Sequence, residues 1–161
     1  MNLEELYGRY GENLFRYLVF KLGSAEDAED VLQEIFCRFA RFTMRWALIR
    51  NPQAFVFRVA RNEVNRFLRR KLSRPEGDAE PLDRTSSFSA SLAIPADATA
   101  LLIAELADRL PEEQKEVIFM KVFDGLTFKE IGTACGVSAN TAASRYRYAL
   151  ARLRTALEET R

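Results

Sequence analysis

The sequence predicts an all-α protein with two small helical domains joined by a linker, the second domain containing a helix-turn-helix. Apolar residues recur every three or four positions towards both ends of the chain, as they do on one face of a helix. There is no strand-like alternation of useful length. Residues 73–97 instead hold three Pro, one Gly and six Ser or Thr among few large apolar residues. We therefore expect helical domains at 1–72 and 98–161, with 73–97 as the linker.

Composition excludes several classes of function. The 161-residue chain contains no histidine, which rules out Ser-His-Asp and Cys-His catalysis and histidine-containing zinc sites. Its two cysteines, Cys37 and Cys135, are too far apart in sequence to form a CxxC pair. We expect Cys37 to fill the core and Cys135 to be a small turn residue, with oxidation sensing as its alternative role. No apolar run approaches a membrane span and no signal peptide is evident, so we expect a cytoplasmic protein without membrane insertion or cofactors.

The first domain is expected to contain three helices with recognisable starts. The first covers residues 3–22. Ser24 precedes an acidic first turn and is a good N-cap for the second helix. Asn51 and Pro52 suit the N-cap and the first position of a third helix that runs to about Leu72.

Charge is unevenly distributed over these helices. Five acidic residues gather at the start of the second helix, whereas the stretch from Arg58 to Lys71 has six basic residues and one acid. One face of the third helix is a polar stripe that could bind phosphates and unpaired base edges, unless it is simply a solvated surface. Trp46 and Phe57 could stack on bases, although core packing is the alternative. The stripe consists of Arg58, Arg61, Asn62, Asn65 and Arg69.

A helix-turn-helix is predicted near the end of the chain. Pro111 opens a helix whose expected inner positions are Val117, Ile118, Met120 and Val122. Thr127 and Glu130 then form a capping box for a short helix that ends near Cys135 and Gly136, and Ser138 caps a second helix running to about Leu157. In this arrangement the second helix enters the DNA major groove.

That second helix has two faces. The inward stripe is expected to comprise Ala142, Tyr146, Ala149, Leu150, Leu153 and Leu157. Another side carries groups that can donate to or accept from bases and phosphates. These groups could equally belong to an ordinary amphipathic helix with a solvated basic face. They are Thr141, Ser144, Arg145, Tyr148 and Arg152.

Three segments together resemble one protein family. Residues 28–36 (AEDVLQEIF) look like the polymerase-clamp-binding helix of bacterial RNA polymerase sigma factors. Residues 51–62 (NPQAFVFRVARN) resemble their promoter-melting helix, and residues 110–154 resemble their minus-thirty-five domain. The short two-domain form corresponds to the extracytoplasmic-function (ECF) group.

The resemblance implies a role for each set of residues. Asp30, Gln33 and Glu34 would face the clamp of core RNA polymerase. The polar stripe of the third helix, with Arg66 added, would contact the melted minus-ten strand of promoter DNA. The polar face of the last helix would contact the minus-thirty-five duplex. The family also implies an anti-sigma factor as a partner. Arg66, where the family is often acidic, and Ala143, where a basic residue is common, depart from the pattern and leave the promoter sequence open.

Two other classes of function remain as alternatives. An autonomous helix-turn-helix repressor would need to dimerise to read paired half-sites, and no dimerisation helix is evident. An enzyme could use a hard cation held by the acidic residues of the second helix. No nucleophile–base pair accompanies those acids, so we expect a non-enzymatic initiation factor. They are Glu26, Asp27, Glu29, Asp30 and Glu34.

Overall fold

The computed structural model describes residues 2–42, 46–73, 86–91 and 98–160. Within these ranges the chain forms helices and no β-strand, which confirms the all-α prediction. A short 3-10 turn lies at Trp46–Leu48, between the second and third α-helices. The α-helices are α1 (Leu3–Leu22), α2 (Ala25–Arg41), α3 (Pro52–Leu72), α4 (Phe88–Ser91), α5 (Ala98–Ala107), α6 (Glu112–Val122), α7 (Phe128–Cys135) and α8 (Ala139–Glu159).

The helix starts are fixed by local side-chain caps. The Ser24 hydroxyl accepts from the Asp27 amide at 3.2 Å, and the Asn51 side chain accepts from the Ala54 amide at 3.1 Å. Each bond satisfies one of the amides that the first turn of a helix leaves without a partner. At the other end of α1, Gly23 takes a left-handed conformation (φ 71°), which glycine adopts without steric penalty. These ends were predictable because they depend on neighbouring residues alone.

Helices α1, α2 and α3 share one aromatic-rich core. Trp46 is 4% exposed and packs edge-on against Phe39 and Phe55, with ring centroids 5.1 and 5.5 Å apart. Phe57 is fully buried, 5.7 Å from the ring of Tyr17. Core packing is therefore confirmed for both Trp46 and Phe57, and neither ring is free to stack on DNA bases.

Two apolar positions predicted to face inward are wrong. Val117, Ile118 and Met120 of α6 are buried as expected, but Val122 is exposed because the last turn of α6 points it away from the core. In α8, Leu150 is exposed because it lies at the edge of a stripe whose buried centre is formed by small residues, Ala142 and Ala149. The buried stripe of α8 is therefore narrower than the predicted one.

The cysteine prediction also needs correction. Cys37 is exposed, so it does not fill the core as expected. It lies between the buried positions Phe36 and Phe39 but on the side of α2 that faces solvent. Cys135 ends α7 and is partly buried. Among the described residues, no helix combines the length and the apolar character needed to cross a membrane.

The two groups of helices pack directly against each other. The rings of Phe20 in α1 and Phe119 in α6 stack with centroids 4.4 Å apart, and the buried core continues from one group into the other. Part of the predicted linker joins this contact, since Phe88 of α4 is 2% exposed. The other linker residues, 74–85 and 92–97, lie outside the described residues. The domain boundaries at 72 and 98 remain a prediction.

Candidate nucleic-acid and polymerase interfaces

The acidic side of α2 presents the three residues predicted to contact polymerase. Asp30, Gln33 and Glu34 are all exposed, while Val31 and Ile35 turn the opposite side of the helix into the core. The three polar residues lie on neighbouring turns of α2 and therefore form a single surface. Two of them are negatively charged, and Gln33 is neutral. This arrangement can meet a basic partner without disturbing the core.

Buried and partly buried charges hold α2 against α3. Glu63 of α3 is 3% exposed and forms ion pairs with Arg38 of α2 and, at 3.3 Å, with Arg66 one turn along α3. Lys71 bonds Asp27 across the same pair of helices at 3.1 Å. Arg66, one of the residues predicted to bind DNA, is exposed and donates to Glu63. Its role in DNA binding stays a prediction.

The predicted polar stripe of α3 is not uniformly available. Arg58, Asn62 and Arg69 are exposed, and Asn65 is partly buried. Arg61 lies at the edge of the stripe, where α3 meets the second group of helices. Its Nε donates to Oε1 of Glu116 in α6 at 2.7 Å. Arg61 therefore differs from the exposed residues of the stripe, because its side chain is bonded to the second group of helices.

Glu116 is the centre of a buried polar cluster that the sequence did not reveal. The carboxylate is 4% exposed and also accepts from Lys21 at 3.0 Å, from the Tyr17 hydroxyl at 3.3 Å and from the Cys135 thiol at 3.5 Å. Burial alone would raise the pKa of Glu116, but Lys21 and Arg61 hold it below its ordinary value. Glu116 is thus a charged carboxylate enclosed by partners from α1, α3 and α7.

The same cluster determines the state of Cys135. Burial, reinforced by the neighbouring Glu116 charge, raises the pKa of the Cys135 thiol to about 12. Because the thiolate is the form that oxidants attack, a thiol that stays protonated at neutral pH is a poor oxidation sensor. The structure favours a packing role for Cys135. The exposed Cys37 lies near Gln33 and Glu34 on α2.

The helix-turn-helix is built as its local sequence predicts, with one addition. Thr127 and Glu130 make both bonds of the capping box, at 3.0 and 3.1 Å. Gly136 ends α7 at φ 72°. The missed feature is Gly132, where an added Cβ would stand 2.6 Å from the Val137 carbonyl oxygen. The turn folds back so tightly on α7 that a side chain at this position does not fit. Because Gly132 lies within a helical pattern, the sequence gives little indication that this position requires a glycine.

The predicted DNA-facing side of α8 lies on the surface. Thr141, Tyr148 and Arg152 are exposed, while Ser144 and Arg145 are partly buried. Arg145 forms a 3.7 Å ion pair with Glu113 of α6, whose own side chain is 71% exposed. Arg147, which was not included in the predicted face, is exposed beside it and donates to the Ser144 hydroxyl at 3.1 Å. The basic charge of Arg147, one helical turn from Ser144, is the feature of the sequence that could have identified it as part of this face.

Family models match both groups of helices. Sigma-70 region 2 matches residues 6–74, and Sigma-70 region 4 matches residues 100–153. Residues 28–36 and 51–62, two of the three segments that resemble sigma factors, fall inside the first match. The second match covers α7 and α8 up to residue 153, which is most of the helix-turn-helix. The protein is thus defined as a sigma-70-type transcription factor.

Individual relatives narrow this class. The chain is 30% identical to the ferric citrate uptake sigma factor FecI of Escherichia coli over 88% of this chain and 82% of that protein. It is also 30% identical to the ECF RNA polymerase sigma factor SigL of Mycobacterium tuberculosis strain H37Rv, over 98% and 89% of the two chains. The chain belongs to the ECF group of RNA polymerase sigma factors, which direct the polymerase to promoters.

Solved structures share the fold. The sigma factor RpoE of Bartonella quintana, crystallised with the anti-sigma factor NepR, superposes with a TM-score of 0.72 at 21% identity, covering 98% of this chain and 97% of that one. CnrH in complex with the cytosolic domain of CnrY gives a TM-score of 0.68 at 19% identity, covering 98% and 88%. The all-α architecture found here is therefore one that sigma factors adopt.

Proposed function

We propose a division of labour within this sigma factor. Residues 1–72 bind core polymerase and the melted minus-ten strand, residues 98–161 bind the minus-thirty-five duplex, and residues 73–97 connect the two. The observation that carries this proposal is the pair of polar helix faces on α3 and α8. Each is populated by Arg, Asn, Ser or Thr at positions that the core leaves largely free.

Polymerase binding is assigned to α2. Asp30, Gln33 and Glu34 are exposed on one side of a helix whose opposite side is locked into the core. An acidic surface on a rigid helix attracts a basic partner and fixes its orientation. Substitutions on this surface are expected to change binding far more than folding.

Contact with the melted strand is assigned to α3. Arg58, Asn62 and Arg69 are exposed along the stripe, and Asn65 lies between them. Arginine binds phosphates, and asparagine offers both a donor and an acceptor to the edge of an unpaired base. Arg61 and Arg66 extend this surface once their carboxylate partners release them.

Duplex contact is assigned to α8, the second helix of the helix-turn-helix. Thr141, Ser144 and Arg145 lie in its first two turns, which in this motif reach the base edges. Tyr148 and Arg152 follow on the same side further along the helix, where phosphates are the expected contacts. The exposed Arg147 adds a further basic contact at the border of this face.

The proposed partners follow from the family. They are core RNA polymerase, promoter DNA and an anti-sigma factor, since the solved structure with the higher similarity is a sigma factor held by its anti-sigma factor. We propose that the chain acts in the cytoplasm as a regulator of transcription and carries out no catalysis of its own. No metal or cofactor enters this function.

Capture of core polymerase is the experiment that tests the assignment. The tagged protein should retain core enzyme, and Glu34→Lys should weaken that capture at least fivefold by reversing charge on the α2 surface. Glu105→Lys is the matched control, because Glu105 is exposed on α5, away from that surface. Both variants should keep their melting temperature, since surface changes alter stability by only about 0.5 kcal/mol. A repressor or an enzyme would not capture polymerase, and equal capture by both variants would contradict the α2 assignment.

A further inference from the structure

The outermost line of α8, which consists of Asn140, Ser144 and Arg147, differs from the DNA-facing side predicted on this helix. Asn140 was not part of the predicted side, and it is exposed in the first turn of α8. We infer that Asn140 and Arg147 determine the sequence that α8 selects, with Asn140 reading an adenine and Arg147 a guanine in the major groove. This inference rests on the proposed role of α8 in binding duplex DNA.

The first step is the direction in which each side chain leaves the helix. Ala142 and Ala149 are the buried residues of α8 and mark its inner side. At about 100° per residue, the three residues of the outermost line lie about 150–170° from the middle of that side. The predicted residues other than Ser144 lie only about 50–110° from it, towards one flank of the helix. They are Thr141, Arg145, Tyr148 and Arg152.

The second step is what occupies the two flanks of α8. On one flank, Arg145 forms its 3.7 Å ion pair with Glu113 of α6, and only 25% of its side chain is exposed. On the other flank, Leu150 of α8 lines a shallow groove together with Ile103 of α5. Both flanks therefore meet other helices of the same group. The outermost line lies between them and is the side that a DNA duplex can approach.

The third step is the chemistry of the two side chains. The asparagine amide pairs with N6 and N7 of adenine, and the arginine guanidinium pairs with O6 and N7 of guanine. The exposed Arg147 donates from Nη2 to the Ser144 hydroxyl at 3.1 Å, which turns its guanidinium towards the N-terminal half of α8. That half of a recognition helix is the part that reaches base edges. Arg147 therefore presents its donors beside Asn140 although it lies two turns further along.

The spacing of the two residues defines the sequence that they read. Along the helix axis, Asn140 lies about 6 Å from Ser144, where the Arg147 guanidinium is held, and about 10 Å from the Arg147 backbone. Successive base pairs of DNA are about 3.4 Å apart. We therefore expect an adenine and a guanine about two or three base pairs apart in the upstream promoter element.

Selection of DNA by holoenzyme tests this assignment. Holoenzyme is assembled from core RNA polymerase and the full-length chain, and the probe is a pool of duplexes whose central segment is randomised. Sequencing the retained duplexes should reveal an adenine and a guanine at that spacing for the parent. Asn140→Ala should reduce the preference for the adenine at least fivefold, and Arg147→Ala should do the same for the guanine. Each variant should leave the other preference in place.

Arg147→Gln gives a readout that a purely structural or electrostatic role would not produce. Because glutamine pairs with adenine, this variant should exchange the guanine preference for an adenine preference at the same position. Arg154→Ala is the matched control, since Arg154 is an exposed arginine further along α8. It should leave the selected sequence unchanged. Arg145→Ala should also leave both preferences in place, because its guanidinium is directed to Glu113.

The outcomes separate this inference from the proposed function. A guanine kept in both Arg147 variants, or an adenine kept in Asn140→Ala, would overturn the inference for that residue. Loss of the two preferences in Arg145→Ala instead would overturn it for both residues and leave the proposed role of α8 intact. If no substitution on α8 changes the selected sequence, including Arg145→Ala and Arg152→Ala, the proposed role of α8 fails as well.

Discussion

Helices α3 and α8 each carry a polar face predicted to bind DNA, but the fold treats the two faces differently. On α8, Arg145 pairs at 3.7 Å with an exposed carboxylate, whereas on α3, Arg61 bonds at 2.7 Å to a buried one. An exposed pair contributes about 0–1 kcal/mol and gives way readily to DNA. Removing one partner of a pair buried on both sides costs about 3–5 kcal/mol, and the cost here is smaller because the Arg61 side chain is 31% exposed. The availability of a helix face thus depends on what packs beside it as well as on its own periodicity.

The largest predicted effect comes from damage to the turn between α7 and α8. Gly132→Ala places a Cβ 2.6 Å from a backbone carbonyl oxygen that cannot move without disturbing the turn. We expect it to lower the free energy of unfolding by about 3 kcal/mol, because backbone must shift to relieve the overlap. Urea denaturation of the parent and of Gly132→Ala measures this loss of free energy of unfolding.

Gly8→Ala is the matched control for this prediction. Gly8 also lies inside a helix, but a Cβ there meets nothing within 4 Å. Alanine should therefore stabilise the protein by about 0.5–1 kcal/mol through its higher helix propensity. A loss of stability of similar size in both variants would mean that the tight turn is not the cause.

The second prediction concerns the pH dependence of the contact between the helical groups. Asp124 follows α6, and Gln53 of α3 donates to its backbone carbonyl at 3.2 Å. Burial raises the pKa of the Asp124 carboxyl to about 8, against the opposing charge of Arg16. The folded state therefore keeps a proton that the unfolded state releases near pH 4. Stability must fall as pH rises between about 4 and 8, by at most about 1.4 kcal/mol per pH unit.

Asp124→Asn tests that sign. The neutral amide should remove this component of the pH dependence. The difference in free energy of unfolding between the variant and the parent should therefore be about 2 kcal/mol larger, in favour of the variant, at pH 7 than at pH 5. Thermal melts at the two pH values measure the difference. If the stability of the parent changes from pH 5 to pH 7 in the same way as that of the variant, Asp124 is ionised in the folded protein.

The third prediction distinguishes two residues within the α8 face. If Arg145 reads a base, Arg145→Ala should cost about 1.5 kcal/mol and relax specificity at one promoter position. Arg152→Ala, further along α8, should weaken binding to all sequences and reduce the salt slope by about 0.9. Electrophoretic mobility shifts of holoenzyme on a panel of single-base promoter variants separate the two. Equal, sequence-independent losses would make Arg145 a phosphate contact.

Much of the fold could be predicted because it depends on short-range patterns. The caps at Ser24, Asn51 and Thr127 and the left-handed Gly136 involve residues at most a few positions apart. The buried and exposed sides of α2 and α8 follow from a period of 3.6 residues. Errors arose where a stripe was too wide, as at Leu150 and Val122, or where one turn decides exposure, as at Cys37.

The Glu116 cluster could not be predicted in this way. Its partners Tyr17, Lys21 and Arg61 lie 99, 95 and 55 positions away in sequence, so their meeting depends on how two helical groups dock. Docking depends on aromatic packing around Phe119 rather than on any local signal. Within α6 alone, Glu116 reads as one more charged residue on a helix surface. A polar stripe can thus be located from sequence, whereas the contacts that its side chains make with a distant part of the chain cannot.

The central claim is that the exposed side of α2 binds core RNA polymerase. Capture of core enzyme by the tagged parent, Glu34→Lys and Glu105→Lys tests it most directly. We predict that the parent and Glu105→Lys retain the polymerase equally and that Glu34→Lys retains at least fivefold less. Equal capture by all three proteins would contradict the claim.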